Sequence, residues 1–140
     1  MTDCQYGFKR GLSTELTIHD LQNFHTQNTD KGLVTFSIFL DFAKACVTVN
    51  HDILLHKLNT QYGIKGLPLL LLKNYLENRS RYVVIKDSRS EMAKFTCGMP
   101  QGSTLGPLLF LLYVNDLTLV SNFKTILFAD DMVLSLSATP

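Results

Sequence analysis

The spacing of apolar residues alternates along the chain between a helical period and the continuous runs typical of strands. Apolar residues recur at helical spacing from an expected N-cap at Ser13 or Thr14 to about Thr29, which predicts a first helix. An apolar run over residues 34–40 predicts a buried strand that ends at Asp41. The later segments predict, in order, helices at 53–62 and 69–78, hairpin strands at 82–85 and 94–96, a helix at 107–119, and hairpin strands at 125–128 and 132–136.

This succession of elements predicts an α+β fold in which one antiparallel sheet is backed by helices. The chain has 140 residues, of which 46% are hydrophobic, so it has enough apolar material for a core of its own. Neither a repeat nor a linker-like segment divides the sequence. We therefore predict a single domain over residues 1–140.

Two adjacent acids, Asp130 and Asp131, lie between the apolar runs of the last predicted hairpin. Acidic turns are common on protein surfaces, but strands this apolar are unusual in a surface hairpin, and adjacent charges there need compensation by a cation. Strand ends from distant parts of a chain can meet at one sheet edge. Asp41, at the end of an earlier strand, would then lie beside Asp130 and Asp131. Carboxylates suit Mg²⁺, and two such ions can hold the attacking and leaving oxygens of a phosphoryl displacement. The sequence therefore predicts nucleotidyl-transfer chemistry.

Two further segments carry candidate ligand-binding residues. In the glycine-rich segment 98–103, the glycines allow close backbone approach to a ligand, and Gln101 can hydrogen-bond a sugar or a base edge. The alternative for this segment is a rigid connector into a buried helix. After Asp41, small residues such as Ala45 would let backbone N–H groups face a triphosphate. His51 fits a capping or packing role better than metal binding, since Mg²⁺ prefers oxygen ligands.

The charge balance limits the partners that this chain would bind by itself. Thirteen Lys and Arg residues against twelve Asp and Glu give a net charge of +1, which is weakly basic for a standalone nucleic-acid-binding protein. Three widely spaced cysteines have no metal-ligand spacing and fit reduced thiols. Residues 1–10 contain no apolar signal segment, and no apolar run approaches the roughly 20 residues of a membrane span. We expect a soluble intracellular protein, nuclear or cytoplasmic, that is not secreted and has no membrane partner.

Five blocks of the sequence carry a further signal, namely residues 5–14, 41–58, 98–111, 115–117 and 128–131. In this order and at this spacing, the blocks resemble the reverse transcriptases of non-LTR, LINE-type retrotransposons, especially jockey-like elements. Because the blocks together extend over nearly the whole chain, the resemblance is far more specific than any one block would make it.

The resemblance implies an RNA-directed DNA polymerase with a right-hand architecture, of which this chain forms the palm and part of the fingers. A DNA primer 3′-hydroxyl would attack the α-phosphate of a dNTP on an RNA template. Two Mg²⁺ ions, with Mn²⁺ as an alternative, would be held by Asp41 and Asp130 as main ligands, by Asp131 as a third acid and by the backbone carbonyl of Phe42. The substrate-binding residues implied by the resemblance are Phe42, Ala45, Cys46, Gln101 and Gly102.

The chain departs from the family pattern at Cys46 and Val47, where such enzymes usually carry Phe and Asp. In such enzymes the aromatic side chain sterically excludes the ribose 2′-hydroxyl. Cys46 is smaller, which predicts weaker discrimination against ribonucleotides. Incorporation of dNTP and rNTP by a complete enzyme with Cys46→Phe would measure this, and unchanged selectivity would refute it. The resemblance also implies a fragment truncated at both ends, without thumb or endonuclease, that has little or no activity alone. The alternative is a non-catalytic, retroelement-derived interaction module or a degenerate relic.

Overall fold

The computed structural model describes residues 2–42, 44–77, 79–119 and 122–140. Within these residues the helices are α1 (Thr14–Asp30), α2 (His51–Thr60), α3 (Leu67–Leu76) and α4 (Leu105–Val114), with short 3₁₀ helices at Ala45–Val47 and Asn115–Leu119. The strands are β1 (Val34–Asp41), β2 (Arg79–Arg81), β3 (Val84–Ile85), β4 (Ser88–Arg89), β5 (Ala93–Phe95), β6 (Lys124–Phe128) and β7 (Asp131–Ala138). This combination of helices and antiparallel strands confirms the α+β class, but the described strands form three separate antiparallel sheets instead of the single sheet that was predicted.

Side-chain caps explain where the first two helices begin. The Oγ of Ser13, one of the two expected N-caps, accepts a hydrogen bond from the N–H of Leu16 at 3.3 Å. In the same way, Asn50 caps α2 by accepting a hydrogen bond from the N–H of Ile53 at 3.0 Å. Both helices therefore lie close to the positions that the apolar pattern predicted.

The boundaries of the last two helices differ slightly from the prediction. α3 ends at Leu76, two residues before the predicted end at position 78. Position 78 itself lies outside the described residues. α4 begins two residues before Pro107, because the Oγ of Ser103 accepts a hydrogen bond from the N–H of Gly106 at 3.1 Å. It ends five residues before the predicted end, where the chain continues as a tighter 3₁₀ helix. No helix in the described ranges combines the length and the apolarity needed to cross a membrane.

The main sheet contains three antiparallel strands in the order β1-β7-β6. Side chains of α1 contact it at two places. The Nε2 atom of His25 lies 2.8 Å from the Oγ of Ser37 in β1. Asp20 forms a 2.7 Å ion pair with Lys124 of β6. The predicted final hairpin is confirmed, with β6 and β7 as its strands.

β1 is a strand, as predicted, but the prediction that it is buried was wrong. The exposed fractions of Phe36 and Phe39 are 66% and 69%. β1 and β6 are the two edge strands of this sheet, but residues 125–127 of β6 are buried, and Gln5 forms a bridge with Leu127 there. A continuous apolar run therefore locates a strand correctly without showing which strand of the sheet is covered.

The predicted pairing of residues 82–85 with residues 94–96 was also wrong. β5 pairs with β2, and β3 pairs with β4 inside the segment that was expected to be a connecting loop. The backbone of Lys86 is left-handed, with a φ of 53°, and makes a tight turn between β3 and β4. Because lysine gives no sequence signal for a left-handed turn, the alternation of side chains could not fix this register. The two pairs together, residues 79–95, are called the double ribbon below.

The chain divides into two compact units. Unit 1 comprises residues 1–43 and 114–140 and contains α1 and the three-stranded sheet, with Ile126, Leu127 and Met132 in its core. Unit 2 comprises residues 44–113 and contains α2, α3, most of α4 and the double ribbon, with Leu54 and Leu58 in its core. The prediction of one domain over residues 1–140 stays a prediction.

Candidate functional site

The acids that end β1 and begin β7 lie opposite each other. Asp41 is the last residue of β1, Asp131 is the first residue of β7, and the antiparallel register pairs them directly. Directly paired residues project their side chains from the same face of a sheet, with Cα atoms roughly 4.5–5.5 Å apart. Both acids are exposed. The structure therefore brings together two carboxylates that are far apart in the sequence.

Asp130 lies in the turn before this pair. Phe128 of β6 pairs with Asp131 of β7, so Ala129 and Asp130 form a two-residue turn, called the acidic turn below. Ala129 has a φ of 55°, in the left-handed region that alanine rarely adopts. Among the described residues, no group of three or more His, Cys, Asp or Glu side chains is arranged to hold a metal ion. Asp130 therefore does not complete a preformed cage of three acids.

The two opposed carboxylates repel each other, because like charges directly opposite on antiparallel strands are destabilising. A bound cation would remove this repulsion. Mg²⁺ prefers oxygen ligands and commonly takes only one or two protein carboxylates together with substrate phosphates. The donor set of Asp41 and Asp131 fits Mg²⁺ in this respect, although it is not a complete cage.

A cleft of about 350 Å³ in unit 1 adjoins the acid pair. Asp41 and Asp131 line it together with apolar side chains of α1 and the sheet, among them Ile18, Phe39 and Val133. Charges beside an apolar surface interact more strongly than charges in open water. The cleft therefore provides a place where a charged ligand and the two carboxylates would meet beside an apolar surface. Phe42, the predicted carbonyl ligand, directly follows β1 and is half-buried.

In unit 2, the other predicted site residues lie on two adjoining segments. The carbonyl of Cys46 accepts a hydrogen bond from the N–H of Met99 at 2.7 Å, and the carbonyl of Val49 accepts one from the N–H of Gly98 at 2.7 Å. These bonds join the 3₁₀ helix after β1 to the glycine-rich segment. The predicted residues carried by the two segments are Ala45, Cys46, Gln101 and Gly102.

Gly98 makes the close contact between these segments possible. Its φ is 85°, and a Cβ at this position would lie 2.5 Å from the carbonyl oxygen of Val47. The buried ring of His51 donates from Nε2 to the carbonyl of Gly98 at 2.7 Å, which agrees with the packing role expected for His51. This part of the loop behaves as the rigid connector of the alternative interpretation. Gln101 and Gly102 are exposed and accessible to a ligand.

A polar network links three elements of unit 1, namely the N-terminal segment, α1 and β6. Asp20 of α1 accepts a hydrogen bond from the phenol of Tyr6 at 2.8 Å and pairs with the ammonium group of Lys124. Burial and the hydrogen bond to Asp20 raise the pKa of Tyr6 to about 12. Burial raises the pKa of Asp20 as well, but hydrogen bonds from Lys124 and Tyr6 outweigh it, so the pKa lies below the ordinary value of 3.8. The network was not predicted, because its members follow no common spacing.

Comparison with known families agrees with these features. The family described as reverse transcriptase (RNA-dependent DNA polymerase) matches residues 1–139, so the chain belongs to this family. Because nearly every residue is matched, the relation includes both units of the fold.

Individual relatives come from mobile elements of flies. The chain is 34% identical over 122 residues to a probable RNA-directed DNA polymerase from transposon BS of Drosophila melanogaster, covering 84% of this chain and 13% of that protein. RNA-directed DNA polymerases from the mobile element jockey are 29% identical in Drosophila melanogaster and 32% identical in Drosophila funebris, covering 81% of this chain and 12% of each relative. The resemblance to jockey-like non-LTR elements is confirmed. The chain spans only about an eighth of the length of these curated relatives.

Proposed function

We propose that this chain is the palm, with part of the fingers, of an RNA-directed DNA polymerase. Membership of the reverse transcriptase family supports the class of reaction. The observation that carries the site is the direct pairing of Asp41 with Asp131 at one end of the sheet. In the proposed reaction a primer 3′-hydroxyl attacks the α-phosphate of a dNTP, a new P–O bond forms, and pyrophosphate leaves.

In this proposal the acidic end of unit 1 holds two Mg²⁺ ions, or Mn²⁺ in their place. Such ions, when bound, activate the attacking hydroxyl and neutralise charge on the leaving group. Asp41, Asp130 and Asp131 supply carboxylate oxygens, and Phe42 supplies its backbone carbonyl. The rigid strand register keeps Asp41 and Asp131 together before any ligand arrives, and apolar side chains line the cleft beside them.

The incoming nucleotide, in our proposal, contacts the two adjoining segments of unit 2. Gly102 has a φ of 71°, and a Cβ at this position would meet no atom of the described residues within 4 Å, so its backbone is open to a ligand. Gln101 offers both a donor and an acceptor beside it. Ala45 and Cys46 contribute small side chains across the junction, which leaves space for a sugar.

The double ribbon is the surface that we propose for the RNA template and the DNA primer. Residues 79–95 contain five basic and two acidic side chains. Arg81 lies over the ring of Phe95 at 5.6 Å, and Arg89 lies over the ring of Tyr82 at 3.5 Å. Cationic side chains neutralise phosphates, and aromatic rings can stack on unpaired bases, so the combination suits a nucleic-acid strand.

The activity as a whole, in this proposal, needs residues beyond these 140. The relatives are much longer, with the matched region forming 12–13% of each. We therefore propose that the remaining fingers and a thumb act together with this segment inside the cell, in the nucleus or cytoplasm, and that the segment alone has little polymerase activity.

Primer extension by a full-length polymerase that contains this segment tests the proposal. Asp41→Asn and Asp130→Asn should each lower dNTP incorporation at least about 100-fold, because each removes a carboxylate that holds the ions. The matched control is Asp30→Asn, which changes an exposed acid at the end of α1 and should leave incorporation unchanged. Full activity of both site variants would contradict the proposal and favour a non-catalytic interaction module.

A further inference from the structure

The segment before α1 is fixed against the strand that leads into the acidic turn. Gln5 is 1% exposed, and it forms a parallel bridge with Leu127 of β6. The N–H of Tyr6 donates to the carbonyl of Leu127 at 2.7 Å, and the N–H of Leu127 donates to the carbonyl of Cys4 at 2.8 Å. These backbone bonds hold residues 4–6 directly beside the end of β6.

The side chain of Gln5 reaches the turn itself. Its Oε1 accepts hydrogen bonds from the N–H of Gly7 at 2.8 Å and from the N–H of Ala129 at 3.2 Å. Ala129 has the left-handed φ of 55°, and such a conformation persists only where surrounding contacts determine it. The bond from Ala129 to Gln5 is a contact of this kind, placed one residue before Asp130.

Gly7 provides the space in which the two segments meet. A Cβ on Gly7 would lie 2.2 Å from the backbone nitrogen of Ala129 and 3.0 Å from the carbonyl carbon of Phe128. Because these are backbone atoms, they cannot turn aside as a flexible side chain would. Any larger residue at this position would therefore displace the acidic turn.

The amide nitrogen of Gln5 shows which part of the side chain matters. Nε2 is buried and has no hydrogen-bond partner among the described residues. A buried donor without a partner is unfavourable, and a leucine of similar size would avoid that cost. The acceptor oxygen is therefore what distinguishes Gln5 from an apolar residue at this place.

We propose that Gln5 is a positioning residue for the acidic turn. Its Oε1, with Gly7 leaving the space, holds Ala129 in its left-handed conformation and so sets where Asp130 lies beside the pair of Asp41 and Asp131. The inference rests on the proposed function, because the ligand concerned is the divalent cation of the acid pair. Residues that orient metal ligands without touching the metal typically change metal affinity by about 10–100-fold when they are replaced.

The Mn²⁺ affinity of the 140-residue chain, measured from the electron paramagnetic resonance signal of unbound ion, tests this inference. We expect Gln5→Leu to weaken Mn²⁺ binding about 10-fold or more while the chain stays folded by circular dichroism. The matched control is Ser135→Ala, which removes another buried polar group of unit 1, bonded to Ser37 rather than to the turn, and should leave the affinity unchanged.

An Asp41→Asn variant separates failure of this inference from failure of the proposed function. If Asp41→Asn weakens Mn²⁺ binding and Gln5→Leu does not, the positioning role is overturned and the metal site stands. If Asp41→Asn binds Mn²⁺ like the wild type, the proposed metal site fails and the inference fails with it. Equal weakening by Ser135→Ala would indicate general loosening and would also overturn the positioning role.

Hydrogen exchange in the unmodified chain provides a second measurement, which decides the matter should Gln5→Leu not fold. The N–H of Ala129 should exchange as slowly as the N–H of Leu127, because both are held by residues of the same segment. Rapid exchange of Ala129 beside a protected Leu127 would overturn the proposed contact.

Discussion

Several single residues of this fold adopt arrangements that are unfavourable in isolation, and they lie next to the candidate binding segments. Asp41 faces a second carboxylate, Asp131, and Ala129 takes a left-handed backbone. Gly98 is packed against the backbone of Val47. Strained or repulsive positions of this kind cluster at functional sites more often than elsewhere. Their location agrees with the proposed metal pair and nucleotide loop.

The contact of Gly98 leads to a stability prediction. Gly98→Ala combines a left-handed φ, which costs about 1–2 kcal/mol for alanine, with a backbone clash, for which overpacking adds about 1–3 kcal/mol. Gly63→Ala is the matched control, since its φ of 67° is similar but a Cβ there meets nothing within 4 Å in the part of the chain that the structure describes. Urea denaturation followed by circular dichroism should show a clearly larger loss for Gly98→Ala. Equal losses would contradict the packing described for this loop.

At this scale the sequence predicted part of the site. It predicted that Asp41 lies near Asp130 and Asp131, because Asp41 ends one apolar run and the two later acids lie between two others. The sequence did not show that Asp131 rather than Asp130 is the direct partner, since register depends on pairing along the whole of β1 and β7. Gln5 gave no local signal of its burial, because a polar residue in a loop-like segment is normally exposed.

Among the elements of unit 1, α1, β6 and the N-terminal segment are joined by the network of Asp20, Lys124 and Tyr6. Each element contributes one polar side chain, so the network fixes their relative positions where apolar packing alone would allow sliding. The side chains of Asp20 and Lys124 are about one-third exposed, at 32% and 35%, which limits the strength of their ion pair.

The lowered pKa of Asp20 leads to a pH prediction. A carboxyl whose pKa is lower in the folded than in the unfolded chain adds stability above the ordinary value of 3.8, and this stability is lost as the pH falls through the folded value. Asp20→Asn should therefore cost about 0.5–1 kcal/mol at neutral pH. The difference from the wild type should shrink below pH 3.8, as measured by urea denaturation at several pH values. A constant difference down to strongly acidic pH would contradict this assignment.

The double ribbon shows the limit of prediction at the scale of elements. Residue types typical of strands indicated strands in this region, but the turn at Lys86 decided which strands pair. Turn chemistry that uses an ordinary residue in a left-handed conformation leaves no signature in the sequence. The helices were easier to predict, because their N-caps and apolar spacing act locally.

The ribbon also leads to a binding prediction for a full-length polymerase that contains this segment. Arg81→Gln with Arg89→Gln should weaken binding to a primer–template and lower the slope of log affinity against log salt by about 1–2, as expected when two phosphate contacts are lost. Lys31→Gln with Lys65→Gln removes the same charge from exposed positions outside the ribbon and should have little effect. Equal effects of the two double variants would argue against the ribbon as the nucleic-acid surface.

For the whole molecule, the net charge of +1 conceals an uneven distribution. Residues 79–95 carry a net charge of +3, so the remainder carries −2. Composition alone therefore made the chain look too weakly basic for a nucleic-acid partner, whereas five of its thirteen basic residues lie in the double ribbon. The family relation was accessible from the sequence, because five spaced blocks are specific even when each is weak. The division into two compact units could not be predicted from the sequence, since no linker marks the boundary.

Locating a bound Mn²⁺ on this chain, by the broadening of its amide signals in nuclear magnetic resonance, tests the proposed metal site most directly. The signals of Asp41 and Asp131 and their neighbours should broaden first, and Asp41→Asn should remove this selective broadening. Broadening centred on other acids, such as Asp52 and Glu77 of unit 2, or an unchanged pattern in Asp41→Asn, would contradict the proposed metal site.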